Sequence, residues 1–181
     1  MSLLYNSPKL FDRSDCIVES FSINEKKQRY VLFSTFTGLE IMKAFIPTFE
    51  KKYEWYVILD HNQASPNETS KQDRIIYLPI EKTADIMKKQ KVGTQLYIAG
   101  DWKMVKEAFT CAIEAGFIEE EIQVYIVGEK ERHTYCPSCY TLTAIQEEDE
   151  EFRCPSCNVM LVISPFYSKV RDGYLGYPYV D

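Results

Sequence analysis

Short apolar runs alternate with helical patterns over the first part of the chain. The runs are rich in Val, Ile, Leu and aromatic residues and predict strands that are buried on both faces. They lie at residues 30–33, 54–59, 74–78, 94–98 and 123–127. Strands of this kind that alternate with amphipathic helices are typical of a parallel sheet covered on both faces. The pattern therefore predicts a Rossmann-like α/β domain over residues 1–130.

Three helical patterns lie between these runs. The first begins at Leu39 and should kink or stop at Pro47, because proline disrupts a helix interior. The second is short, and Thr83 is the predicted cap. The third is the clearest, with Asp101 as the predicted N-cap and Gly116 as the residue that ends it.

Two segments lie outside this alternation. Residues 16–21 predict either an edge strand or an arm packed on the domain. Residues 60–73 are polar and rich in turn-forming residues, which predicts a surface loop.

The pattern changes near residue 131, from where turns and cysteines dominate, so we predict a small second domain over residues 131–181. Met160–Ile163 predicts a strand that covers the cysteines. The acidic patch at 147–151 predicts a solvated hairpin tip. The tail at 166–179 is unusually aromatic, which predicts either a partner-binding surface or a segment that packs back on its own domain.

Four cysteines form two Cys-Pro-Ser-Cys pairs, at Cys136 and Cys139 and at Cys154 and Cys157. Each pair can direct both sulfurs at one ion, and two pairs complete a tetrahedral set of thiolates. This spacing predicts a structural zinc site in a ribbon. Two disulfides, or four unrelated buried thiols, are the alternatives and are disfavoured.

Iron in a rubredoxin-like setting would use the same four ligands and would make the site redox-active. Zinc is favoured, because the glycine that often follows each rubredoxin knuckle is replaced here by Tyr140 and Asn158. We expect His133 to be a surface or supporting residue and not a fifth ligand. Cys111 is predicted to be a small buried residue, and neither it nor Cys16 shows a pattern typical of a nucleophile.

The composition restricts the class of protein. A hydrophobic share of 45% with 27% charged residues is typical of a folded, soluble protein, and the net charge of −6 argues against nucleic-acid binding. No apolar run is long enough for a membrane span, and the first 16 residues do not resemble a secretory signal. We therefore expect a cytoplasmic protein whose thiols stay reduced.

A polar loop follows the first strand and is a candidate for phosphate binding at a helix N-terminus. Its residues are Ser34, Thr35, Thr37 and Gly38, and Gly100 follows a neighbouring predicted strand. One glycine in the loop does not make a dinucleotide fingerprint. An ordinary β–α turn with capping hydroxyls is therefore the favoured interpretation, and NAD(P)H binding is the weaker one.

Residues 96–105 and 117–125 resemble the last βαβ unit of the NAD(P)-binding domain of ferredoxin reductases. That family usually carries Cys-Gly-Pro where this chain has Ala99, Gly100 and Asp101. The resemblance implies the family's α/β fold without the cysteine that assists hydride transfer. A domain that kept the fold and lost the chemistry is therefore favoured.

The C-terminal segment resembles the small-subunit family of dimethylamine monooxygenase, the DmmA-like proteins. The two cysteine pairs carry the resemblance, together with the run that follows them and the stretch from Phe166 to Tyr177. The family has a histidine and an arginine in this stretch, where the chain has Pro165 or Phe166 and Lys169. The resemblance implies a zinc-binding, non-catalytic subunit of an NADPH-dependent amine oxygenase, with redox centres on companion oxygenase or reductase subunits.

Two other hypotheses stay open at the level of sequence. One is an electron-transfer component that binds NAD(P)H and holds a rubredoxin-like iron. The other is a zinc-ribbon scaffold or adaptor protein. A homo-oligomer is compatible with each hypothesis.

Overall fold

The computed structural model describes residues 9–49, 52–59 and 75–179. These residues form two compact units. The α/β unit is Arg13–Glu129, and the ribbon unit consists of residues 130–179 together with residues 9–12. The division differs from the predicted one at the N-terminal end, where residues 9–12 pack with the ribbon unit. The predicted loop at 60–73 lies outside the described residues.

The α/β unit alternates strands with helices, as the apolar pattern predicts. In the part described, five strands pair in parallel in the order β3-β2-β1-β4-β5. The elements are β1 (Arg29–Ser34), α1 (Leu39–Phe45), β2 (Tyr53–Leu59), β3 (Ile75–Pro79), α2 (Thr83–Lys88), β4 (Thr94–Gly100), α3 (Trp102–Glu114) and β5 (Ile122–Ile126).

Both faces of this sheet are covered. On one face Met42 and Phe45 of α1 pack in a cluster with strand residues such as Leu32 and Tyr97. On the opposite face of the sheet, strand side chains such as Phe33 are buried as well. Helix α3 contacts β4, β5 and α2 and buries its own apolar stripe. The predicted α/β fold class with a parallel sheet is confirmed, and burial on both faces explains why the strands are continuous apolar runs.

Three of the predicted helix ends are confirmed. Helix α1 stops at Phe45 and continues as a 3-10 turn that contains Pro47. Asp101 is the N-cap of α3, and its Oδ1 accepts a hydrogen bond from the backbone N–H of Met104 at 3.1 Å. Gly116 follows α3 with a φ of +99°, in the left-handed region that glycine adopts without steric cost.

The predicted cap at Thr83 is wrong. A 3-10 turn at Ile80–Lys82 leads directly into α2, so Lys82 holds the N-cap position and Thr83 is the first helical residue. The Thr83 hydroxyl is buried and makes no hydrogen bond. The turn supplies the backbone acceptors that a capping side chain would otherwise provide.

The segment at 16–21 contributes one bridge at the edge of the sheet. Ile17 pairs in parallel with Val124 of β5. The ring of Phe21 then packs against Phe45 and Tyr97. The segment is therefore mainly a packed arm with a single strand-like contact.

The ribbon unit is built on a second sheet. Among its described residues, five strands lie in the order β7-β6-β10-β9-β8. Strand β10 is parallel to β6 and antiparallel to β9. The strands are β6 (Arg132–Tyr135), β7 (Leu142–Ile145), β8 (Glu151–Arg153), β9 (Met160–Ser168) and β10 (Gly173–Pro178).

The prediction that the acidic patch at 147–151 forms a hairpin tip is wrong, although the patch is largely exposed. The hairpins are β6 with β7 and β8 with β9, and a cysteine pair forms the turn of each. The patch joins these two hairpins, whose strands β7 and β8 lie at opposite edges of the sheet. The error arises because β7 and β8 are neighbours in sequence but do not pair.

The aromatic tail is part of this sheet. Strand β10 occupies its centre, and Tyr174 is fully buried. Tyr177 and Tyr179, further along, are exposed. The interpretation of the tail as a segment that packs on its own domain is therefore confirmed for Tyr174, whereas the partner-binding interpretation stays a prediction.

A short N-terminal arm is fixed to the ribbon unit by a buried ion pair. Asp12 Oδ2 lies 3.0 Å from Arg132 Nε, and both side chains are almost fully buried. This contact is an ion pair and not an aligned hydrogen bond. Asp12 Oδ1 accepts a hydrogen bond from the Tyr174 hydroxyl at 2.5 Å, and the Phe11 ring stacks on Tyr167. The arm therefore contacts side chains of β6, β9 and β10.

Arg132 is the centre of this contact. Its guanidinium lies over the Tyr174 ring, 4.7 Å from the centroid. Its Nη1 donates hydrogen bonds to the carbonyl oxygens of Gln146 and Glu147, at 3.2 and 2.6 Å. The guanidinium is thus held by three chain segments at once, and Asp12 supplies the countercharge.

Replacing Asp12 by Asn should destabilise the ribbon unit by about 3 kcal/mol, because a buried guanidinium then loses its countercharge. Both tryptophans, Trp55 and Trp102, lie in the α/β unit. We therefore expect urea to expose the ribbon thiols to a thiol reagent at a lower concentration, while the tryptophan fluorescence transition stays in place. Asp15→Asn, at an exposed position, is the control. A thiol transition unchanged from wild type would contradict the role of the ion pair.

Candidate metal centre

The four predicted ligands meet in one cluster. The sulfurs of Cys136, Cys139, Cys154 and Cys157 all lie within 4.8 Å of one another. The closest pairs join the two knuckles, with 3.6 Å between Cys136 and Cys157 and 3.5 Å between Cys139 and Cys154. Zinc with Zn–S bonds of about 2.3 Å requires sulfurs about 3.8 Å apart at the corners of a tetrahedron. The donor set therefore fits one tetrahedral metal ion.

Both knuckles have the same backbone geometry. The backbone N–H of Tyr140 donates to the Cys136 carbonyl at 2.8 Å, and that of Asn158 donates to the Cys154 carbonyl at 2.9 Å. Tyr140 and Asn158 have φ values of 66° and 63°, in the left-handed region. Asparagine tolerates this region better than tyrosine does. The turn therefore forms without the glycine that often follows such a knuckle.

The surroundings of the sulfurs are apolar on one side. Cys136 and Cys154 are buried with Leu161 of β9, and Phe152 and Val159 pack against them. Leu161 belongs to the run that was predicted to cover the cysteines, and this prediction is confirmed. Cys139 and Cys157 are half-buried at the outer side of the cluster.

Adjacent sulfurs cannot all ionise without a cation, and their pKa values diverge accordingly. The pKa of Cys139 is lowered to about 6, chiefly by hydrogen bonding with the Thr141 side chain and then with its backbone. At Cys157 the Val159 backbone lowers the pKa, but desolvation and hydrogen bonds with the other three sulfurs raise it to about 12. A divalent cation removes this conflict, because it allows four thiolates to coexist.

None of the six cysteines, all of which lie in described residues, forms a disulfide. Cys16 is buried, and desolvation together with the charge of Glu119 raises its pKa to about 12. Desolvation and the charges of Glu114 and Glu107 also raise the pKa of Cys111. Both thiols therefore stay protonated at neutral pH. Cys111 is half-buried, so the prediction that it is a buried residue is wrong.

His133 lies on β6 opposite Ala144 and is not part of the cysteine cluster. Two other features were not found from the sequence. The hydroxyl of Thr141 contacts Cys139 Sγ at 3.3 Å, and a threonine two residues after a ligand is a weak signal that could have indicated it. The Asp12–Arg132 pair joins residues far apart in sequence, and no local pattern indicates it.

The predicted nucleotide-binding residues come together at the point where the strand order reverses. Strands β1 and β4 are neighbours there, with Ser34 opposite Ala99, and Gly100 ends β4. Ligands of open α/β sheets bind at this kind of crevice. In this chain the loop after β1 contacts the end of β4 directly, since the backbone N–H of Thr35 donates to the Ala99 carbonyl at 3.0 Å.

The polar groups of this loop are mostly used within the protein. Ser34 is buried, and its Oγ accepts a hydrogen bond from Trp55 Nε1 at 3.0 Å. Thr35 is also buried, and its hydroxyl is paired with that of Thr37 at 2.6 Å. Thr37 is exposed, whereas Gly38 is buried. Thr37 therefore offers the accessible hydroxyl of the predicted set.

Close packing explains why glycine occupies both positions. A Cβ on Gly38 would lie 2.2 Å from the carbonyl oxygen of Ala99, and a Cβ on Gly100 would lie 2.4 Å from Thr35 Oγ1. The carboxylate of Asp101 caps the helix that follows β4. Its negative charge at this helix start opposes a phosphate, which would need the same N–H groups.

The fold and the site together define an α/β protein with a four-cysteine, metal-binding C-terminal ribbon. Residues 133–177 match the family described as the dimethylamine monooxygenase subunit DmmA-like, C-terminal domain. This match spans about a quarter of the chain and includes all four cysteines. It confirms the predicted DmmA-like resemblance for this segment, whereas the resemblance of the α/β unit to ferredoxin reductases stays a prediction. No match to a curated protein was found.

Loss of one inner ligand should remove the metal. Cys154→Ser takes away a buried thiolate, so we expect the metal bound per chain to fall by at least tenfold and the ribbon unit to unfold. Cys111→Ser, outside the cluster, is the matched control and should keep the metal. Elemental analysis of the purified variants gives the measurement. Full metal retention in Cys154→Ser would show that the four sulfurs do not act as one ligand set.

Gly38→Ala should destabilise the α/β unit by about 1–3 kcal/mol, because the new methyl group would overlap the backbone oxygen of β4. Glu40→Ala, at an exposed position in the next turn, is the control and should cost less than about 1 kcal/mol. Urea unfolding followed by tryptophan fluorescence measures both. Equal stability of the two variants would contradict the packing role of Gly38.

Proposed function

We propose that the chain is a zinc-binding, non-catalytic subunit of a dimethylamine monooxygenase-like complex. The observation that carries the proposal is that the DmmA-like match and the four-sulfur cluster coincide in one unit. The matching family is described as a monooxygenase subunit. The chain would therefore act together with companion oxygenase or reductase subunits that hold the redox centres.

The chemistry of the ligand set supports a structural metal. Catalytic zinc sites keep one position open for water or substrate, whereas four cysteines fill the tetrahedron. In the part of the chain that is described, the ligand cluster consists of those four sulfurs. The protonated state expected of Cys16 and Cys111 offers no nucleophile in their place. These observations support a role in holding the ribbon in shape.

The cytoplasm is the proposed location, because reduced thiols persist there. Among the described residues, none of the helices has the length and apolar run that a membrane crossing requires.

A second candidate function is an NAD(P)H-binding electron-transfer component with iron at the four cysteines. Two observations favour it. The predicted loop residues meet at the reversal point of the strand order, where dinucleotides bind in related folds. The four sulfurs suit iron as well as zinc. Other contacts argue against nucleotide binding. The hydroxyls of Ser34 and Thr35 already form hydrogen bonds within the protein, and the carboxylate of Asp101 occupies the start of α3.

Metal analysis combined with an NADPH oxidation assay separates the two candidates. We expect one zinc per chain, no visible absorbance, and no NADPH oxidation by the purified chain with an added electron acceptor. Added to its companion subunits, the same preparation should increase amine-dependent NADPH consumption. A coloured, iron-containing preparation that oxidises NADPH alone would instead establish the second candidate.

A further inference from the structure

The two faces of the ribbon sheet differ in what covers them. Pro178, Leu161 and Phe152 lie in one row across β10, β9 and β8. Leu161 in this row packs against the buried Cys136 and Cys154. This face is therefore the inner face, because it closes over the metal centre.

The opposite face carries apolar side chains that stay exposed in the part of the chain that the structure describes. Glu151, Val162 and Tyr177 form the adjacent row across the same three strands, so their side chains point away from the metal centre. Val162 is 37% exposed and Tyr177 is 51% exposed. Tyr179, two residues further on, continues this face and is 56% exposed. We call Glu151, Val162, Tyr177 and Tyr179 the outer patch.

A hydrogen bond orders the outer patch. The hydroxyl of Tyr179 donates to Glu151 Oε1 and so connects the end of β10 with β8 across β9. A tyrosine held in this way has lost rotational freedom before any partner binds. Ordered, exposed tyrosines supply large contact areas at low entropic cost and are frequent among the residues that dominate interface energies.

Charge at one border of the outer patch specifies the partner. Glu151 belongs to the acidic stretch 147–151, and the backbone N–H of Ile163 donates to the Glu150 carbonyl, which keeps this stretch beside β9. Arg153 lies on the same face and donates to the Asn158 carbonyl, so its positive charge stays beside Asn158. The five carboxylates of the stretch 147–151 outnumber this charge. Carboxylates beside apolar rings repel nucleic acid and anionic lipid. They complement a protein surface with apolar residues bordered by lysine or arginine.

We propose that the outer patch is the docking surface for a companion subunit that presents apolar side chains bordered by basic residues. This inference rests on the proposed function and specifies where the complex forms. The metal centre then holds the three strands in register, so that the outer patch keeps its shape. The metal itself does not contact the partner.

The test uses the full-length chain with an affinity tag, produced together with the oxygenase and reductase subunits of a dimethylamine monooxygenase-like complex from the same organism. Wild type should co-purify with one of these subunits. Val162→Glu and Tyr177→Ser should each weaken the affinity for that subunit by about tenfold or more. Glu151→Lys should weaken it as well, because it places a cation opposite the partner's basic border. Each variant must retain its metal and its unfolding midpoint.

Phe166→Ser is the matched control. Phe166 lies on β9 and is 70% exposed, but it is outside the row that defines the outer patch. The variant should bind the companion subunit as wild type does. The comparison separates the outer patch from a general effect of exposed aromatic residues.

Other results would overturn the proposal in distinguishable ways. Equal binding by wild type and by the Val162, Tyr177 and Glu151 variants would reject the outer patch and leave the proposed function intact. Absence of any companion subunit from the wild-type preparation would reject both. Self-association of the wild type that these variants abolish would assign the outer patch to a second copy of this chain.

Discussion

The ribbon unit depends on the cross-link between two cysteine knuckles. Each knuckle is the turn of one hairpin, and the hairpins contribute the outer strands of the sheet while β10 lies between them. Apart from the cluster of Leu161 with the sulfurs, few apolar side chains are buried in this unit. Structural zinc contributes on the order of 10–16 kcal/mol in small zinc peptides, enough to fold a unit without a large core. The α/β unit has a core on each face of its sheet and needs no such cross-link.

Features that depend on nearby residues could be predicted from the sequence. The parallel strands are buried on both faces, so each appears as a continuous apolar run, and the order of strands and helices follows. The cysteine spacing is also local, since two residues separate the ligands within a pair. Asp101 as a cap and Gly116 as a terminator depend only on their own helix. In each case the residues that decide the structure lie within a few positions of one another.

Features that join distant segments could not be predicted in this way. The parallel pairing of β10 with β6 depends on the whole sheet, and the assumption that neighbouring segments pair made the acidic patch appear to be a hairpin tip. Asp12 contacts Arg132 although the whole α/β unit lies between them in sequence, and an isolated aspartate in an irregular segment gives no signal of that contact. Thr83 has the chemistry of a cap, but the preceding 3-10 turn occupies the position where a cap would act.

The loop from Ser34 to Gly38 illustrates how one residue pattern serves two purposes. A glycine and hydroxyls after the first strand of an α/β sheet are what a phosphate requires, but two packed loops require them as well. Here the absence of a side chain at Gly38 allows the carbonyl of Ala99 to pack against it, and the Thr35 side chain fills the space beside Gly100. The glycines are thus accounted for by contacts within the protein, without a ligand. The strand order alone therefore does not indicate nucleotide binding. The evidence that decides is whether the polar groups of the loop are available to a ligand or already form hydrogen bonds within the protein.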